Sequence, residues 1–289
     1  MKTYTLCWKK YALTLGPKTA IMGIVNVTPD SFSDGGHYQS VEAAVAQAKQ
    51  LVASGADIID IGGESTRPFA DAVPAHEEIS RVLPVIKQLS TQIPVPLSID
   101  TTKAEVADAA IGAGAAMIND IAAFRLDSQM PQVAAHYGVP VILMHMKGTP
   151  RTMQVNPTYS NVVIEVRQFL ADAINQAVLT GIARSNVIID PGIGFGKTTQ
   201  HNLLLIQQLA QFAELDVPIL VGPSRKRFIR DLVKSPNETS DIQPNRPDVE
   251  IGTQAAVAAS ILNGAHIVRV HDVANTQAMV KVINAIQMA

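Results

Sequence analysis

The chain has 289 residues, 47% hydrophobic and 17% charged, with a formal net charge of -2. That length suits one α/β barrel of roughly 250 residues as readily as two smaller domains. The absence of basic blocks and the 4% aromatic content argue against a nucleic-acid partner. No stretch approaches the roughly 18 apolar residues of a membrane span. Residues 1–10 carry lysines with no apolar run behind them, so no secretory signal is readable. The lone Cys7 can form no internal disulfide, which fits a reducing, cytoplasmic setting.

Residues 3–15 are expected to form a short hairpin that caps a barrel floor. The hairpin takes up 1–17 and the barrel 18–289, all in one domain. From residue 20 onward, short β-branched runs alternate with amphipathic helical stretches. The apolar runs lie at 21–27, 57–61, 96–99, 116–118, 139–144, 187–189, 218–221 and 266–270. Between them, Val41, Ala44, Val45, Ala48, Leu51 and Val52 follow the i, i+3, i+4, i+7 rule, as do Ile79, Val82, Leu83 and Ile86. Val162, Val166, Phe169, Ala173 and Ala177 repeat the pattern. Strands that are apolar on both faces belong in a parallel sheet covered by helices. Eight such alternations without a break in composition predict a closed (β/α)8 TIM barrel, with a doubly wound sheet as the alternative. Residues 234–249, rich in Pro, Asn, Asp and Ser, are expected to split the seventh helical segment as a mobile surface loop.

Each predicted strand runs into something polar or into glycine. The first ends in Asn26, and the second leads to Gly62, Gly63, Glu64, Ser65, Thr66, Arg67 and Pro68. Asp100, Asn119 with Asp120, His145 and Asp190 end the next four. Gly222, Pro223, Ser224, Arg225 and Lys226 follow the seventh, and Arg269 and His271 end the eighth. Any one of these reads equally well as a turn former or helix cap. Taken together they line one rim, and barrel enzymes carry out their chemistry at that rim. Asp100, Asn119 and Asp190 offer the acceptors and donors that suit a flat heterocycle such as a pterin or purine. A purely structural hydrogen-bond network is the other possibility. Lys226, Arg269 and His271 lie where barrels commonly bind phosphate, with Arg67 able to approach from across the mouth. Ordinary surface cations paired with acids would look the same. The rim therefore divides into an acid–amide side and a cationic side.

Some chemistries are excluded. PGIGFGKT at 191–198 lacks the first glycine of a P-loop, and Lys197 replaces the third glycine of a dinucleotide motif. The stretch instead predicts a tight turn with Phe195 beside the pocket. The seven histidines contain no HExxH pair, one cysteine cannot build a structural zinc site, and there is no GxSxG elbow.

MGIVNVTPDSFSDGG at 22–36, DIGGESTRP at 60–68 and LSIDT at 97–101 resemble the dihydropteroate synthase family. The resemblance continues through IND, MHMKGTPRTMQ, DPGIGFGK, GPSRK and RVH, in the family's order and across nearly the whole chain. It implies a folate-pathway transferase that joins 6-hydroxymethyl-7,8-dihydropterin diphosphate to para-aminobenzoate. By this resemblance Asp100, Asn119, Asp190, Phe195, Gly222 and Lys226 hold the pterin. Asn26, Thr66, Arg67, Arg269 and His271 hold the diphosphate, with Asn26 also reaching Mg²⁺. Phe32, Thr66, Pro68 and Arg227 shape the aminobenzoate site. Asp34, Asp190, Lys226, Arg269 and His271 serve the chemistry, which proceeds through a pterin methylene cation. A homodimer is implied as well. Arg227 and Phe69 depart from the residues frequent in the family, which leaves aminobenzoate affinity and sulfonamide response open. The alternative activity is that of a pterin-binding barrel that moves a methyl group from a folate, which would not need the cations.

Overall fold

The computed structural model describes residues 2–27, 36–65 and 72–289. The N-terminal hairpin pairs β1 (Tyr4–Trp8) with β2 (Tyr11–Leu15) antiparallel. Eight strands then follow: β3 (Ala20–Asn26), β4 (Ile58–Gly62), β5 (Leu97–Asp100), β6 (Met117–Asp120), β7 (Val141–Met144), β8 (Val187–Asp190), β9 (Leu220–Val221) and β10 (Ile267–Val270). They are parallel and ordered β8-β7-β6-β5-β4-β3-β10-β9. A parallel bridge between Ile189 and Ile219 joins the two ends, with Ile189 N–H donating to the Pro218 carbonyl at 3.0 Å. That bond closes the sheet into a barrel and rules out the doubly wound alternative.

The helices form the outer layer. They are α1 (Gly36–Ala53), α2 (Ala75–Gln92), α3 (Ala104–Ala113), α4 (Met130–Tyr137), α5 (Val162–Leu179), α6 (Thr199–Gln207), α7 (Arg227–Val233), α8 (Pro247–Leu262) and α9 (Val273–Met288). The apolar stripes read from the chain face inward: Ala44, Ala48, Val82, Ile86, Val166 and Ala177 are buried against the strands. Strands enclosed on both sides favour near-continuous apolar runs, and β7, VILM, is buried throughout.

The hairpin does cap the floor, because its side chains bind the segments that lead into strands. Trp8 Nε1 donates to the Ala116 carbonyl at 2.7 Å, just before β6. Lys9 Nζ reaches the Ala115 carbonyl at 3.2 Å. Tyr4 packs edge-on against His266, just before β10, at 5.1 Å between ring centroids. At the C-terminal side, 234–246 separates α7 from α8 as expected. It is pinned rather than loose, because Ile242 is buried and Arg230 grips both oxygens of Asp241 at 2.8 and 2.7 Å.

Candidate active site

The strand register builds the site. Asn26 pairs with Gly62, Gly62 with Asp100, and Asp100 with Asn119, so four strand ends stand level along one rim. Asp190 ends β8 opposite Met144. The structure thus brings Asn26, Asp100, Asn119 and Asp190 to one end of the barrel.

One member of the set escapes a sequence reading. Asp60 lies inside the apolar run of β4, two residues below Gly62, and is fully buried. Its Oδ2 accepts from Asn119 Nδ2 at 3.0 Å and from Arg269 Nε at 2.6 Å. Arg269 Nη2 also donates to Asp100 Oδ2 at 2.7 Å. A carboxylate in the middle of an apolar strand was the available signal, since such a charge is costly without a partner. The guanidinium joins the acid side to the cationic side, so the rim is not divided in two as the sequence suggested. Two of the five guanidinium N–H donors are committed here, which leaves three for another acceptor. Asp60 Oδ1 and Asp100 Oδ1 are buried with no hydrogen-bond partner among the described residues. Burial raises Asp100 above the ordinary carboxylate range, and Arg269 offsets only part of that.

The turn after β8 forms the next wall. Gly192, Gly194 and Gly196 have φ of 71°, 82° and 65°, a region that glycine enters without the Cβ penalty. Gly192 N–H donates to Asp190 Oδ1 at 2.7 Å, while burial pushes Asp190 up to about 6. Phe195 and Lys226 meet across the pocket, with Lys226 Nζ 3.9 Å from the ring centroid. Burial, then the nearby Arg269, bring Lys226 down to about 8. Phe195 also closes a small apolar cluster with Ile121, Ala122, Met144, Met146 and Met153.

Two strand-end residues, Asp120 and His145, are held in contacts within the fold. Asp120 accepts from the Ala122 and Phe124 N–H groups at 2.8 and 2.7 Å and so shapes the turn after β6. His145 packs edge-on against Phe169 at 4.8 Å and binds the buried Lys197. His271 lies just past β10, and its Nδ1 is 2.9 Å from Ser224 Oγ in the loop after β9. Gly222 begins that loop beside Arg269, 3.6 Å from its Cβ to the position a glycine Cβ would take. Arg227 opens α7 with its side chain 73% exposed, 3.7 Å from Asp231. Asp34, Phe32, Thr66, Arg67, Pro68 and Phe69 lie outside the described residues. Among the described residues, no three His, Cys, Asp or Glu side chains converge as a metal cage.

A family described as pterin binding enzyme matches residues 22–271. The dihydropteroate synthase of Synechocystis sp. is 44% identical over 271 residues, 94% of this chain and 91% of the relative. That of Bacillus subtilis is 44% identical, covering 98% and 94%. The chain belongs to the dihydropteroate synthase family of pterin-binding enzymes.

Solved members share its architecture. Xanthomonas albilineans dihydropteroate synthase with 4-aminobenzoic acid superposes with a TM-score of 0.90 at 46% identity, covering 100% of both chains. A second structure of that synthase, in complex with 7,8-dihydropteroate, gives 0.83 at 44% identity, covering 96% of this chain and 97% of that one. Dihydropteroate synthase is a transferase, and its site explains the missing hydrolase motifs. An arylamine is already a nucleophile, so the fold needs to bind and orient rather than to activate a serine or cysteine.

Proposed function

We infer that this chain is a working dihydropteroate synthase of folate synthesis. It joins 6-hydroxymethyl-7,8-dihydropterin diphosphate to para-aminobenzoate and forms 7,8-dihydropteroate and diphosphate. The observation that carries the reading is the buried Asp60–Arg269–Asp100 bridge beside Asn119, Asp190 and Lys226. The unpartnered Asp100 Oδ1 is an acceptor that a ring N–H or amino group of a heterocycle would satisfy.

In this reading Asp100, Asn119, Asp190, Phe195, Gly222 and Lys226 hold the pterin. The three uncommitted N–H donors of Arg269, together with Asn26, Thr66, Arg67 and His271, hold the diphosphate. Phe32, Thr66, Pro68 and Arg227 shape the aminobenzoate site. The pterin methylene C–O bond breaks with its electron pair leaving on diphosphate, whose growing charge Arg67, Arg269 and His271 offset. The cation left behind is stabilised by Asp190 below the ring and by Asp34. The arylamine nitrogen then forms the new C–N bond and loses a proton.

Mg²⁺ fits this donor set. Asn26 would offer a neutral oxygen at the rim, and magnesium usually takes most of its coordination from ligand phosphates and water. When bound, the ion would neutralise diphosphate charge. No specific observation favours the alternative of methyl transfer from a folate.

The chain is further read as a cytoplasmic homodimer. Ile251 and Leu262 share one face of α8, and Val282 and Ile286 one face of α9; all four are more than half exposed. No helix among the described residues is long and apolar enough to cross a membrane.

The test incubates the pure chain with the pterin diphosphate, labelled aminobenzoate and Mg²⁺, and repeats the reaction with the metal chelated. Labelled dihydropteroate is expected, with weaker binding of the pterin substrate after chelation. No labelled product with all components present overturns the synthase reading.

A further inference from the structure

Lys197 is 3% exposed. Its Nζ lies 2.9 Å from His145 Nδ1, 2.9 Å from the Gly192 carbonyl and 2.9 Å from the Phe195 carbonyl. The His145 carbonyl lies at 3.3 Å. An ammonium has three donors, and here each has a buried acceptor. The turn's other carbonyls are held from outside: Gln154 Nε2 donates to Gly194 O at 2.5 Å and Tyr159 Oη to Gly196 O at 2.8 Å. Within the turn, Phe195 N–H donates to the Gly192 carbonyl at 3.1 Å, and the ammonium binds the carbonyls of both those residues from the same side chain.

The outer side of the same turn faces the site. Gly194 packs on the Lys226 stem so closely that a Cβ would come within 2.9 Å of Lys226 Cδ. Phe195 lies under the Lys226 ammonium, and Gly192 fixes Asp190 Oδ1. His145 N–H donates to the Asp190 carbonyl at 3.0 Å, so β7 and β8 are tied at this level too. The strand-end lysine contact and the strand-end carboxylate contact both run through seven residues that Lys197 shapes.

We propose that Lys197 is a positioning residue for pterin binding: through the 191–197 turn it sets where Asp190, Phe195 and Lys226 stand, without touching the substrate. This rests on the synthase reading above. A turn with three positive-φ glycines has many alternative shapes once its internal clasp is gone. Burial alone would favour the neutral amine, and the neighbouring Asp190 pulls the other way, leaving Lys197 near 7. His145, depressed first by burial and then by Lys197, stays neutral and can accept at Nδ1.

The experiment compares wild type, Lys197→Met and a destabilised control, Val85→Ala on the far helix α2, in steady-state synthase assays. For Lys197→Met, kcat/KM for the pterin substrate should fall about tenfold or more while KM for aminobenzoate holds. Val85→Ala should lose thermal stability and keep both constants. A folded Lys197→Met enzyme with an unchanged pterin constant overturns the inference, as does an equal loss for both substrates. If Lys197→Met does not fold, His145→Phe removes one acceptor and keeps the ring packing. A smaller rise in pterin KM is then expected, and no rise overturns the inference. An inactive wild type overturns the synthase reading and this inference with it, whereas an active wild type with an indifferent Lys197 overturns this inference alone.

Discussion

At the scale of single residues, the site is a set of charges that stabilise one another inside a barrel mouth. Arg269 stands between the fully buried Asp60 and the mostly buried Asp100 and donates to both, so neither carboxyl is enclosed without a cationic partner. Among the described residues, Lys226 and Asp190 have no comparably tight partner for their charges. Lys226 makes a cation–π contact, and Asp190 takes one backbone N–H. Both are therefore available to a ligand. Lys226→Ala and Asp190→Asn should each lower turnover by roughly 10²-fold while leaving the unfolding temperature nearly unchanged. Near-normal turnover in either variant shows that its role is misassigned. Asp190 ionises near 6 and Lys226 loses its proton near 8. The kcat/KM for the pterin substrate should accordingly fall on both sides of that interval, and a flat profile from pH 5 to 9 counts against both assignments.

At the scale of elements, the turn after β8 and the N-terminal hairpin each do work that their own residues cannot show. Gly192 sits at a φ of 71°, and a Cβ there would lie 1.9 Å from the His145 carbonyl oxygen. That atom is backbone and cannot move aside without shifting β7. Gly192→Ala should then cost about 2 kcal/mol or more of stability through strain and displaced backbone. It should also raise the pterin dissociation constant, because Asp190 loses its partner N–H. Calorimetric titration with the pterin substrate checks this, and unchanged affinity would show that the turn does not position Asp190.

At the scale of the whole molecule, the floor and the outer helices govern stability and assembly. His266 joins the hairpin to the barrel: Nδ1 accepts from Ile219 N–H at 3.2 Å, and Nε2 faces the Lys2 carbonyl at 3.3 Å. Burial lowers it from 6.5 to about 4. Between those values the unfolded chain binds the proton and the folded chain resists it. The contribution is complete above pH 6.5, shrinks as pH falls and is lost below about 4. The shift corresponds to about 3 kcal/mol. His266→Asn keeps an acceptor for Ile219 and does not titrate. Its melting temperature should fall less than that of wild type between pH 7 and 4.5, and parallel slopes would exclude His266 as the cause. The buried Asp120 and Asp190 act with the opposite sign, so the difference between the two proteins is the informative quantity. For assembly, sedimentation should give twice the chain mass, and Ile251→Asp with Val282→Asp should give the single-chain mass. A monomeric wild type ends the dimer reading.

Much of this was legible in the chain because local rules and tertiary structure agreed. Continuous apolar runs placed all eight barrel strands, and period-3.6 patterns the inward faces of α1, α2 and α5. The polar residue closing each apolar run marked the rim, since side chains at strand ends meet only once the sheet closes. The family motifs named the chemistry. What depended on the closed barrel was which polar groups partner one another. Asp60 reads as an interruption in β4 until Arg269, 209 residues away, crosses the barrel to it. Asp120 and His145 look like site residues by position, yet one folds a turn and the other takes part in the Lys197 clasp. Lys197 looks like a failed nucleotide motif until its carbonyl partners surround it. Sequence spacing determines which way a side chain can point, but the cost of burying a charge is settled by what stands opposite, and only closure of the ring decides that.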